Sequence, residues 1–248
     1  NTDWVKEVTQ PGNINDHYVT ISGGGERANY RVSGGYLYQN GTIIGQKYNR
    51  ISSRANLDYR VSDRIRFGAE FSLTNSDNDK NHAGMKIEGV NWPSILNLAY
   101  QKMPNVSVYA QDKEGNNTDM YYNIPRDSRL SYDQKYMANP VALAKLAKFN
   151  EKAFRITPTF RLIYDILDPN KHMLRFNSFI SFDINNSKVS RFLPQEVNNA
   201  YWDETNRAED GESESLNIFM DNNLAWQPKF ENSDHSLLLY GSFQMSTG

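Results

Sequence analysis

The sequence predicts an all-β chain, an antiparallel segment of a transmembrane β-barrel, and three observations predict it. The first is the stretch 50–74, which alternates almost without error. Ile51, Ser53, Ala55, Leu57, Tyr59 and Val61 fall on one face, and Arg50, Ser52, Arg54, Asn56, Asp58 and Arg60 on the other. After a break at Ser62-Asp63 the alternation resumes, with Ile65, Phe67, Ala69, Phe71 and Leu73 opposing Arg66, Gly68, Glu70, Ser72 and Thr74. Successive side chains of a strand point to opposite faces, so this is a hairpin with one charge-free face and one charged face. The second observation is that each arm has the length of a membrane-crossing strand, roughly 9–11 residues. The third is that the connections are sorted by length: short turns alternate with long loops along the whole chain.

In order, residues 1–13 read as a loop with one helical turn, stopped by Pro11-Gly12. A short strand with Val19 and Ile21 on its apolar face closes at 22–26, where three glycines are expected to supply the positive φ of a tight turn. Residues 29–39 set Tyr30, Val32, Gly34, Tyr36 and Tyr38 against Asn29, Arg31, Ser33, Gly35 and Gln39. A connection of medium length, 40–49, leads to the 50–74 hairpin. Residues 75–152 read as one long excursion holding weak helical patterns at 87–103 and 139–149, the second opened by Pro140. Strands resume at 154–166 and 174–186, joined across Asp168-Pro169-Asn170-Lys171. A second long loop covers 188–213, and strands at 216–227 and 237–245 complete eight, joined across 228–235.

Composition narrows the classes. The formal charge of −2 gives no electrostatic case for a nucleic-acid partner. No apolar run is long enough for a membrane-spanning helix. Cysteine is absent, which excludes disulfides and cysteine-based metal or redox sites. Tyrosine (15) and phenylalanine (12) are plentiful, as strands and interfacial aromatic girdles require. His17, His82, His172 and His235 lack metal-ligand spacing, and neither a nucleophile elbow nor a nucleotide fingerprint occurs, so neither an enzyme nor a cofactor is expected. Residues 112–119 carry oxygen ligands outside any EF-hand spacing and are read as a solvated loop.

Three stretches carry a family resemblance: NTDWVKEV at 1–8, HYVTISGGGERANYRVSGGYLYQNG at 17–41, and YNRISSRANLDYRVSDRIRFG at 48–68. They are similar to the SusC/RagA family of TonB-dependent outer-membrane transporters. An Asn-Thr-Asp-Trp segment precedes a strand ending in Ser-Gly-Gly, then a Gly-Tyr-Leu strand, then the Arg50 and Arg54-Ala55-Asn56-Leu57-Asp58 strand. The match is dense over 1–75 and rests on the strand pattern beyond. The resemblance implies a barrel of about 22 strands, a plug domain, TonB-driven import of oligosaccharides or peptides across the outer membrane, and a SusD-like lipoprotein lid. On that reading residues 1–248 are one internal part of the barrel domain. A complete eight-stranded barrel acting as anchor or adhesin is the alternative, although its narrow bore suits long inward arginines poorly. A soluble carbohydrate-binding sandwich would leave the sorting of loop lengths unexplained.

For such a protein, function resides on loops and on the inner wall. The long loops offer Trp92, Tyr100, Tyr121, Tyr122, Tyr201 and Trp202, whose rings either stack on ligand or hold a loop together. Arg31, Arg50, Arg54, Arg60, Arg66, Arg155, Arg161 and Arg175 are expected to face the lumen, attracting polar or anionic substrate or pairing with Asp58, Glu70, Asp165 and Asp183.

Overall fold

The computed structural model describes the chain except residues 82–85, 88–89, 92–93, 126–127, 130–133, 136, 169–171, 198–204 and 231–234; at 86, 87, 90 and 91 only the backbone is described. Eight antiparallel strands form one sheet: β1 (Asn13–Gly24), β2 (Ala28–Asn40), β3 (Lys47–Arg60), β4 (Ile65–Asp79), then, after two small loop hairpins, β5 (Lys86–Ile87) with β6 (Val90–Asn91) and β7 (Tyr109–Gln111) with β8 (Asn117–Tyr121), β9 (Lys148–Asp165), β10 (Met173–Leu193), β11 (Arg207–Gln227) and β12 (Leu239–Thr247). The order in the sheet is the order in the chain, as in a meander. β1 and β12 each pair with a single neighbour, so the sheet is open at both edges. That topology departs from the closed eight-stranded barrel of the alternative reading.

Connections 25–27, 61–64, 166–172 and 228–238 lie at one end, and 41–46, 80–147 and 194–206 at the other. The predicted sorting therefore holds for the first six connections and weakens at the last pair, where 228–238 is nearly as long as 194–206. Two expected loops are also shorter than 75–152 and 188–213. β4 runs on to Asp79, β9 starts at Lys148, β10 ends at Leu193 and β11 starts at Arg207.

The reason lies in the register. Leu73, Ile156, Ile184 and Leu216 stand in one row across β4, β9, β10 and β11. Below that row the same face carries Phe71, Phe160, Phe182 and Ile218; two rows above it carries Asp77, Lys152, Lys188 and Glu212. The intervening row is mixed, with Ile51 and Phe154 beside Asn75 and Asn186, so the apolar band ends within two rows while the hydrogen-bond ladder continues past it. Hydrophobic alternation reports the band and not the ladder, so the sequence pattern stops near 74, 154, 186 and 216. At the lower border Tyr59, Tyr164 and Trp226 lie on the same face. Much of this face is exposed: Ile21, Val32, Phe71, Leu224 and Phe243 each keep more than two-fifths of their surface open.

The short turns are locally encoded. Ser62 Oγ accepts from the amides of Arg64 and Ile65, closing 61–64. The glycines at 23–25 behave otherwise than expected, because none has positive φ. Space explains the first two instead, while a Cβ at Gly25 would meet nothing within 4 Å. A Cβ at Gly23 would lie 2.6 Å from Tyr30 Oη, and one at Gly24 would collide with Asn29 Oδ1. Positive φ belongs to Gly45, at 84°, in the 41–46 turn, and to Gly115, at 87°.

The buried hydrophobic cluster lies at the long-loop end and touches the sheet at Leu193, the last residue of β10. Trp4 and Val8 of the helix Trp4–Val8 meet Ile95, Leu98 and Ala99 of the helix Ile95–Gln101, Val141–Ala144 of the helix Pro140–Leu146, and Leu193 and Val197. Ser94 and Asn139 cap the two loop helices, and Pro140 occupies the first turn where its missing N–H costs nothing. Asn139 is fully buried yet satisfied. Its Oδ1 accepts from Val141 and Ala142, and its Nδ2 donates to the carbonyls of Val108 and Tyr122.

Candidate functional site

The face opposite the apolar band is polar, and all eight sequence-predicted arginines share it. Register carries this through: Arg31 stands opposite Asn56, Arg54 opposite Ser72, Arg60 opposite Arg66, Gly68 opposite Arg161, Thr74 opposite Arg155, and Arg175 opposite Asp165. Cross-strand neighbours occupy one face, so these side chains form a single lattice.

Much of the lattice is self-paired. Arg155 grips Asp183 through two bonds of 2.7 and 2.8 Å. Asp165, whose side chain is only 5% exposed, receives Arg175 at 2.6 Å and Arg66 at 3.5 Å. Arg161 reaches Asp58 at 3.6 Å across Gly68, and a Cβ there would sit 3.2 Å from the carboxylate and 3.3 Å from the guanidinium. Glycine lets that pair span a strand. Arg54 approaches Glu70 at 3.6 Å. Among the described residues no carboxylate lies within ion-pair distance of Arg31, Arg50 or Arg60. Arg60 and Arg66 also stand directly opposite, a like-charge arrangement that costs stability.

Two depressions open on this face. One, near the short-turn end, has a volume of about 410 Å³ and is lined by Arg27, Asp58, Arg60, Arg66 and Arg161. The other lies higher, measures about 330 Å³, and is lined by Tyr18, Ser33, Arg50, Ser52, Arg54 and Ser72 among others. Tyr18 was missed by sequence reasoning. The signal was there, since it is an aromatic ring at a polar-face position of β1, opposite Gly35.

Among the described residues the loop aromatics do not converge. Tyr100 projects from its helix, 70% exposed. Tyr121 stacks on Tyr109 at 5.2 Å between centroids, and burial pushes its phenol upward in pKa. Tyr121 and Tyr122 both pack against the loop core. Trp92, Tyr201, Trp202 and His82 lie outside the described residues. The 112–119 segment covers the turn of a small hairpin and the start of its second strand, β7 (Tyr109–Gln111) pairing with β8 (Asn117–Tyr121). Asp112 accepts from the amides of Glu114 and Asn116 and from the Asn116 side chain, and these bonds hold its carboxyl below the usual range. Among the described residues no cluster of three histidine or carboxylate groups could share a metal. His172 is engaged in a turn, its Nδ1 accepting from the Lys229 amide.

One exposed apolar band, one ionic face and long loops at one end are the features of an outer-membrane β-barrel wall. No family model matches the chain. It is 31% identical over 160 residues to the TonB-dependent receptor SusC of Bacteroides thetaiotaomicron, covering 62% of this chain and 15% of that protein. To TonB-dependent receptor P39 of Formosa agariphila it is 30% identical over 193 residues, covering 77% and 16%. To receptor P3 of the same organism it is 26% identical over 197 residues, covering 79% and 18%. The fold matches the structure of the RagAB peptide transporter with a TM-score of 0.62 at 18% identity, over 98% of this chain and 25% of that one. These relatives are TonB-dependent receptors, SusC among them, and the chain is similar to this SusC/RagA family over most of its own length. It spans less than a fifth of the length of these curated relatives, which are named as receptors rather than as enzymes.

Proposed function

We propose that the chain is part of the barrel wall of a TonB-dependent outer-membrane importer of nutrients, oligosaccharides or peptides. The observation that carries the reading is the apolar band, exposed on one face and giving way to polar residues within two register rows at its upper border, while the other face is ionic. Lipid is the partner that suits the band, and the ionic face, with its eight arginines, lines the passage. The long-loop end is extracellular and meets a SusD-like lipoprotein; TonB acts through a part of the protein outside this stretch. Unpaired strand edges in hydrocarbon would each leave a row of unsatisfied backbone groups, so β1 and β12 continue into further strands. Loops 80–147 and 194–206, with Trp92, Tyr100, Tyr201 and Trp202, serve ligand capture or lid docking.

Ala55 and Asn56 are sequence neighbours on opposite faces near mid-band, and this stretch has no cysteine of its own. In native outer membranes a charged maleimide should label Asn56→Cys and spare Ala55→Cys. Equal labelling of the two would refute the lipid assignment. Transport is checked by uptake of labelled oligosaccharide and peptide pools in cells with and without functional TonB, and uptake that persists without TonB would refute energy coupling.

A further inference from the structure

We propose that the upper depression on the polar face is a subsite for an acidic sugar unit, held between Tyr18 and Arg50. The proposal rests on the importer reading above and deepens it by naming a substrate class.

The sequence builds the depression from an absence of side chain. Tyr18 of β1 stands opposite Gly35 of β2, and a Cβ at Gly35 would lie 3.1 Å from Tyr18 Cδ2 and 2.9 Å from Ser52 Oγ. Without it, the tyrosine ring settles against the wall over the glycine and leaves its outer side open; Tyr18 remains 67% exposed. Continuing across the same row, Ser52 and Thr74 carry short hydroxyl side chains, and the adjacent row carries Ser33, Arg54 and Ser72. Short residues make the floor, and the ring and the guanidinium groups make the sides.

The chemistry of the lining selects the ligand. An open aromatic face suits the C–H face of a pyranose, and hydroxyls on the floor suit its ring of hydroxyl groups. Charge then discriminates. Arg54 has Glu70 at 3.6 Å, whereas Arg50 stands between Leu37 and Ser76 with no described carboxylate within ion-pair distance. A guanidinium that is both reachable and unpaired favours a carboxylate or sulfate ester, which it meets with two parallel N–H donors. The volume, about 330 Å³, is at the small end of the range for ligand pockets, about 300–1,000 Å³. A peptide fits less well. Main-chain recognition needs free backbone donors and acceptors, and those of β2 and β3 are committed to the ladders on either side. The lower depression is the weaker candidate, because Arg66 and Arg161 there are already held by Asp165 and Asp58.

The test is calorimetry on the purified full-length receptor in detergent at low salt, with trigalacturonate, sulfated maltotriose, uncharged maltotriose and triglutamate as probes. One or both acidic trisaccharides should bind, the pair reporting whether carboxylate or sulfate is preferred, and maltotriose should bind at least tenfold more weakly. Tyr18→Ala and Arg50→Gln should each weaken acidic-sugar binding at least tenfold, and Tyr18→Phe should restore it by restoring the stacking face. Heat-modifiable mobility confirms that each variant is assembled. Variants that bind like the parent, maltotriose binding equal to that of the acidic sugars, triglutamate binding as tight, or no binding by either acidic trisaccharide would each overturn the subsite. If the Ala55/Asn56 labelling contrast stands while binding fails, the subsite alone falls and the importer reading survives.

Discussion

Trp4 offers the sharpest test of how the long-loop end is built. Its side chain is 2% exposed in the loop core, and its Nε1 donates to the Met103 carbonyl at 2.8 Å. Thr2 adds two bonds to the same segment, its amide to Pro104 at 2.6 Å and its hydroxyl to Val106 at 2.7 Å. The residues before β1 therefore clamp an excursion that lies about a hundred positions further on. Replacing a buried tryptophan by alanine costs about 3–5 kcal/mol, and the orphaned Met103 carbonyl adds about 1 kcal/mol. Each 1.4 kcal/mol is tenfold in an equilibrium constant, so local opening of the loop body should rise at least a hundredfold in Trp4→Ala. Trp4→Phe keeps most of the apolar contact and loses the hydrogen bond, for roughly tenfold. The assay is the rate of tryptic cleavage within 80–147 on the assembled protein, with heat-modifiable mobility as a control that the sheet is intact. Cleavage of Trp4→Ala within threefold of the parent would refute the clamp.

Two further outcomes follow from the same geometry. Leu57→Arg and Phe71→Arg place a charge in the apolar band at positions 39% and 44% exposed, costing about 2–4 kcal/mol each near a bilayer midplane; the yield of heat-modifiable protein in outer membranes should fall in both, and full yield in both would refute the band. Lys102 is 4% exposed and donates to the Met137 carbonyl at 2.5 Å, and burial pushes its amine down to about 8 from 10.5. The unfolded loop then binds more protons than the folded one between those values, so the stability of the loop body rises as pH climbs from about 8 towards 10.5 and is lowest below 8. Tryptic cleavage of 80–147, normalised to an unstructured peptide, should be slower at pH 9.5 than at pH 7, and Lys102→Met should be protected at both. Protection independent of pH in the parent would count against it.

The eight strands were legible because lipid-type burial writes a period of two, and residues 50–74 obey it without a charged exception on the apolar face. Strand ends were less legible. Above the Leu73–Ile156–Ile184–Leu216 row polar residues dominate both faces and the few apolar ones, such as Val189 and Phe192, fall out of alternation, so the pattern of 186–193 or 207–214 does not distinguish a ladder from a loop. The loop core was invisible for a different reason: Trp4, Leu98, Leu143 and Leu193 are far apart in sequence, and no local periodicity joins them. The helix Pro140–Leu146 was readable from its proline and cap, but not that its residues Pro140–Ala144 are all buried. Among the arginines, sharing a face followed from parity; which carboxylate each would choose did not, since Arg161 finds Asp58 only because position 68 lacks a side chain. Tyr18 broke the alternation and was passed over for that reason.

The ladder of β10 and β11 beyond the apolar border has a mechanical consequence. From Ile184 to Leu193 the hairpin advances about 30 Å at ~3.3 Å per residue, or roughly 20 Å of height at a tilt near 45°. On the proposed importer reading this part is a parapet standing clear of the bilayer, and it is stiffened by unbroken pairing between Asn186 and Leu193 on one side and Arg207 and Glu214 on the other. Leu193, at its crest, is wholly buried in the loop core. The loop body therefore rests on a rigid post, and its altitude is set by strand length. Deleting matched pairs from the hairpin, two residues from each strand to keep every side chain on its own face, would lower that platform in steps of about 5 Å without altering the wall beneath.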